Sequence, residues 1–106
     1  MKITKAYDGE VVVAKNGVKA QRLYNETEAQ VIHLTFEPGA RLDTHTTAVN
    51  VFFYILEGAA WVEVGDEREP AVKDCIIESP KGIPHALENQ SDADILRVMV
   101  VKVPRP

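Results

Sequence analysis

The residue pattern predicts an all-β chain folded as a sandwich or barrel, and three observations carry that expectation. Short apolar or alternating runs follow one another closely. Turn signals containing Gly, Pro or Asn separate them, and no amphipathic helical stretch interrupts the series. At 106 residues the chain is expected to form one domain, 1–106.

The elements read in order as follows. Val11 to Ala14 is β-branched, and Asn16-Gly17 after it is a two-residue hairpin signal, because both residues tolerate positive φ. Val18 to Leu23 is the returning strand. Asn25 to Glu28 is polar and reads as one helical turn or a loop. Gln30 to Phe36 is a strand stopped by Pro38-Gly39. Arg41 to Thr47 is a less apolar strand, and Ala48 to Asn50 breaks it. Val51 to Leu56 is strongly β and is closed by Glu57-Gly58. Ala59 to Val64 alternates, with Trp61 and Glu63 on one face and Val62 and Val64 on the other. Gly65-Asp66 is a turn, and Gly65 to Glu69 reads as a solvated hairpin tip. Cys75 to Ile77 is a short buried strand, Pro80 to Pro84 a rigid loop, His85 to Leu87 the start of a strand, and Ile95 to Val103 the last strand.

Composition excludes several classes of partner. The net charge is -4 and no basic block occurs, which argues against nucleic acid, whose phosphates need a cationic face. The longest apolar run, Val51 to Leu56, is far too short to span a bilayer as a helix. The single cysteine, Cys75, has no internal partner, and the segment MKITKAYDGE carries no apolar signal core; both fit a cytoplasmic location.

Two motifs then stand out. Pro80-Lys81-Gly82-Ile83-Pro84-His85-Ala86-Leu87-Glu88-Asn89 is ungapped, and Pro38-Gly39 precedes His45 by six residues from the glycine, with Gly58 closing an apolar run. In these the chain resembles the cupin superfamily, specifically a small cupin with motif 1 at about 39–58 and motif 2 at about 74–89. The resemblance implies a double-stranded β-helix, or jelly-roll, barrel with His45 and His85 facing each other in its mouth. It also implies losses. Thr47 stands where the family has its second histidine, Val51 where it has glutamate, and Asp74 where it has the leading glycine of motif 2.

In the family's site, imidazoles and a carboxylate hold a divalent first-row metal and leave positions open for substrate. Thr47 is at best a weak oxygen donor, and Val51 cannot ligate. His33 is the one candidate replacement ligand. Alternation in Val31 to Phe36 puts Val31, His33 and Thr35 on one face and Ile32, Leu34 and Phe36 on the other. By resemblance the Thr35 face points into the barrel, so His33 would join the cavity; the plainer alternative is a core histidine bonded to its neighbours.

Both faces of these strands are too apolar for water, so a homodimer is expected on the outward face, with Ile32, Leu34, Phe36, Phe52, Tyr54 and Leu56 as its candidates. Trp61, Phe53 and Tyr54 read as core or interface, and Cys75 as a small buried hydrophobe. Three functions follow in order. The first is a small-molecule-binding barrel with a mostly apolar cavity, lined by His45, Thr47, Val51, His85 and His33. The second is a metal-dependent enzyme of isomerase, lyase or dioxygenase type using His45, His85 and His33. The third is an accessory subunit with a vestigial cavity.

Overall fold

A computed structural model describes residues 1–106. After a short 3-10 turn at Ala6–Asp8 come ten strands: β1 (Glu10–Lys15), β2 (Val18–Glu26), β3 (Ala29–Phe36), β4 (Arg41–His45), β5 (Asn50–Glu57), β6 (Ala59–Val64), β7 (Glu67–Val72), β8 (Ile76–Ser79), β9 (His85–Asn89) and β10 (Leu96–Val103). They pair antiparallel in two sheets, β1-β2-β3-β10-β5-β8 and β4-β9-β6-β7. The two sheets close on each other as a jelly-roll barrel. No helix is long and apolar enough to cross a membrane.

The strand register explains the core. Val18, Phe36 and Leu96 form one inward row across β2, β3 and β10, and Ala20, Leu34, Val98 and Ile55 form the next, continuing onto β5. Ala60, Val62 and Leu87 meet them from the facing sheet in one buried cluster. Each leucine-sized side chain so buried contributes on the order of 2 kcal/mol.

Turn chemistry follows the sequence closely. Asn16 (φ 53°) and Gly17 (φ 78°) make the β1–β2 hairpin. Gly58 (φ 87°) carries the chain from one sheet to the other, and a Cβ there would lie 2.7 Å from the Ile95 carbonyl oxygen. Asp74 sits at φ 71°, the left-handed region that the family's glycine occupies without strain; its Oδ1 accepts a 3.1 Å hydrogen bond from the Tyr54 hydroxyl. Asn89 is buried. Its amide faces the carbonyls of Phe36, Glu37 and Asp94, and its Oδ1 accepts from Ser91 N–H, so this motif asparagine knots two loops together.

Several expectations need correcting. Asn25 to Glu28 holds neither helix nor long loop, because β2 runs to Glu26 and turns directly into β3. β4 ends at His45, two residues before Thr47. Gly65-Asp66 is the exposed tip of a β6–β7 hairpin, but Glu67 to Glu69 belong to an edge strand, β7, which pairs Pro70 with Trp61; its charged, proline-containing run hides the strand because an edge facing water needs no apolar alternation. β8 starts at Ile76 and is also an edge, pairing only with β5, so Ile76 is exposed. Trp61 lies on the outer face of its sheet, under the Arg68 guanidinium at 4.8 Å, and not in the core.

The faces of β3 are also the reverse of the expectation. Ile32, Leu34 and Phe36 fill the barrel, and Val31, His33 and Thr35 face outward. Phe36 and Leu34 pack with Val18, Ala20, Leu96 and Val98 in one core cluster, and the rest of that core sets the facing. Ile32, Leu34 and Phe36 are therefore unavailable to a dimer partner. Phe52, Tyr54 and Leu56 do point outward, half-buried, beside Val31 and Met99.

Candidate functional site

A cavity of about 530 Å³ opens at one end of the barrel, within the size range of small-molecule sites. Its wall is mainly aliphatic: Val18, Ala20, Ile32, Leu34, Val51 and Val100, with Phe53. His45 and His85 stand in it together. The register shift between Leu42 and His45 in β4 sets His45 opposite His85 of β9, which shows how a bulge re-aims one side chain at a site.

The two rings meet edge to face, with centroids 4.4 Å apart and Nε2 atoms 3.1 Å apart. Their outer nitrogens fix the proton positions. His45 Nδ1 lies 3.1 Å from the Asp43 carbonyl, which only accepts, so that nitrogen carries hydrogen. In the neutral ring Nε2 is then an acceptor, and His85 Nε2–H donates to it. His85 Nδ1 is left to accept from the Ser79 hydroxyl at 2.7 Å. One directed chain thus runs from buried Ser79 through His85 and His45 to a backbone carbonyl. A single added proton makes His85 Nδ1 a donor to the Ser79 oxygen. A second would set two N–H groups against each other, so the pair holds at most one extra proton. Burial, then the proximity of His45, then Lys102, push the His85 pKa down to about 4.

Of the residues expected at the site, His45, His85 and Val51 line the cavity. Thr47 is buried but is not part of the wall; its carbonyl accepts from Gly82 N–H, which ties the two motif loops together. His33 is fully buried on the opposite face of the sheet. There its Nε2 accepts from Arg97 Nε at 3.1 Å and the Tyr7 ring packs on it at 5.1 Å, so it joins neither the cavity nor the other two histidines. Burial and Arg97 hold its pKa below the usual histidine value.

Sequence reasoning missed Arg22, Gln30 and Lys102, which also line the cavity, and Ser79 behind His85. The signal for Lys102 was present. Leu96, Val98, Val100 and Lys102 alternate, so Lys102 shares the inward face. Arg22 likewise follows Val18 and Ala20.

A metal fits this residue set poorly. No group of three or more His, Cys, Asp or Glu side chains comes together anywhere in the structure. Two imidazoles remain, and the nearby charges, Lys102 and Arg22, repel a dication.

A jelly-roll barrel with paired histidines from two separate motifs at the mouth of an apolar cavity defines the cupin class of protein. A sequence profile described as "Cupin domain" matches residues 32–102, and the chain belongs to that family. Solved structures agree on the fold. An RmlC-like cupin from Shewanella frigidimarina superposes with a TM-score of 0.84 at 17% identity, covering 98% of this chain and 91% of that one. TT1209 from Thermus thermophilus gives 0.83 at 23% identity over 100% of both chains. KdgF from a Halomonas species gives 0.84 at 16% identity, covering 99% and 96%. None of the curated proteins matches the chain.

Proposed function

We propose that this cupin binds a small organic molecule in the barrel mouth, with His45 and His85 as polar anchors and the aliphatic wall taking the apolar part. The observation that carries the reading is the pairing of an open 530 Å³ cavity with two rings whose hydrogen-bond directions are already set. Preset donors and acceptors reduce the ordering cost of binding. Ligand-observed NMR with a fragment library tests it. Hits should shift amides of the cavity strands in the parent and should be lost in the double variant His45→Ala, His85→Ala. A double variant that stays folded and binds as the parent does moves the accessory-subunit reading to first place.

The metal-dependent enzyme ranks second. What favours it is that both Nε2 atoms point at one spot while both Nδ1 atoms are held from behind, as ligand histidines commonly are. A stoichiometric first-row metal in untagged protein would reverse the ranking. For the outer face we propose a homodimer, in which a second copy covers Val31, Phe52, Tyr54, Leu56 and Met99; sedimentation at micromolar concentration reads it directly. The free thiol of Cys75 suits a cytoplasmic setting.

A further inference from the structure

The last inward position of β10 breaks the apolar row. Leu96, Val98 and Val100 are buried in the core, and Lys102 follows them on the same face, into the cavity. Its neighbours across the ladder are Gln30 of β3 and Val51 of β5. The valine that stands at the family's glutamate position thus lies directly beside a lysine. A position that would carry negative charge toward a metal is neutral, and its neighbour brings a positive charge of its own.

That charge has no counter-ion in the protein. Lys102 belongs to none of the ion pairs and makes no side-chain hydrogen bond. Asp43 is the one carboxylate of the cavity lining, and it is exposed and 3.4 Å from Arg41. Arg22, also in the wall, meets only exposed Glu10, through Nη1 at 3.3 Å, and exposed Lys15 of the lining has no ion pair. The Nε of Arg22 is buried without a partner in the protein. Lys102 is half-buried in this wall, and burial first, Arg22 second, hold its pKa below the ordinary lysine value.

We propose that the ligand of this cavity is an organic anion, a small carboxylate-bearing molecule, whose charge is met by Lys102 and Arg22 and whose apolar body lies against Ile32, Leu34 and Phe53. The inference rests on the barrel mouth being the ligand site and adds the class of ligand. A charge in an apolar wall is costly until it is paired, and an incoming anion supplies the pairing.

The test uses two matched pairs of probes, benzoate with benzamide and butyrate with butyramide. Each is titrated into nitrogen-15-labelled protein and followed at the amides of the cavity strands. The acids should bind at least tenfold more tightly than the amides in the parent. Lys102→Met and Lys102→Gln should each erase that preference by weakening the acids, with amide binding unchanged. Lys102→Met without ligand should also melt a few degrees higher than the parent, because an unpaired charge has left an apolar wall. Acids and amides that bind alike, or a preference that survives in both variants, overturn the anion proposal and leave the ligand site standing. A fall in melting temperature for Lys102→Met also overturns it, by showing that the protein already satisfies the ammonium. If neither acids nor amides shift the cavity amides, the anion proposal and the proposed function fall together.

Discussion

The barrel carries two sets of cationic side chains within reach of the same mouth, and they are treated in opposite ways. On the β4, β9 and β6 side of the mouth, where it also borders the cavity, Arg41 is met by Glu63 at 2.7 Å, Glu88 at 3.3 Å and Asp43 at 3.4 Å. Arg68 adds a second guanidinium to Glu63, approaches Glu88 at 3.9 Å and stacks over Trp61. Every charge there has an answer within the chain. On the facing wall, Lys102 and exposed Lys15 have none and Arg22 has one exposed carboxylate. Charges matched by the protein belong to the architecture. Charges left unmatched in an apolar wall lower stability, and their retention makes sense if something from outside completes them.

The largest expected effect concerns the ring pair. The folded-state pKa of His85 lies at about 4, below the unfolded value of about 6.5. The unfolded chain therefore binds more protons in that interval. The stability difference is fully present above pH 6.5 and is lost progressively as pH falls toward 4, by on the order of 3 kcal/mol. His33, also held low, contributes in the same direction. Urea unfolding across that range should show the slope in the parent and a much shallower one in His85→Gln. Equal slopes would mean that His85 is solvated.

Repairing the family's ligand set probes the unmatched charge from the other side. Thr47 lies outside the cavity wall, so the repair that can be made is Val51→Glu, whose carboxylate meets Lys102 across the β5–β10 ladder and is neutralised by it. Metal affinity should therefore rise little. Adding Lys102→Met should raise it at least tenfold further in titration with a divalent first-row metal. A Val51→Glu variant that already binds tightly would show that Lys102 stands clear of the site.

The smallest effects have opposite signs and set the two regions side by side. Arg41→Met leaves Glu63 and Glu88 to Arg68 alone in a partly exposed network and should lower unfolding stability by about 1 kcal/mol. Lys102→Met removes an unmatched charge and should raise it by a similar amount, about 1 kcal/mol. Denaturant midpoints at one pH compare them. Two changes of the same sign would abolish the distinction between the regions.

How much of this was legible in the sequence depends on the kind of signal. Turns written in local chemistry, such as Asn16-Gly17 and Pro38-Gly39, and apolar strands such as β5 and β10, were readable because their causes are local. β7 was not, since an edge strand in water carries no apolar pattern. The motif spacing was enough to expect His45 and His85 at one mouth. The facing of β3 was not readable, because either alternating set could fill a barrel and the choice between Phe36 with Leu34 and Thr35 with His33 is made by the rest of the core. Lys102 could have been placed from its parity with Leu96, Val98 and Val100. That nothing in the chain pairs with it is visible only when the other strands are in position.

The most direct measurement of the central claim, a ligand site that works with protons and fixed cations in place of a metal, is the proton balance of binding. The cavity presents Lys15, Arg22, Arg41, Asp43, His45, His85 and Lys102 to any occupant. An anion among them favours the protonated form of the ring pair, which can hold one extra proton. Calorimetric titration of benzoate at pH 7 in buffers of different ionisation enthalpy counts the protons exchanged. We expect net proton uptake that disappears in His85→Gln. Proton release, or binding without exchange in the parent, would contradict the account.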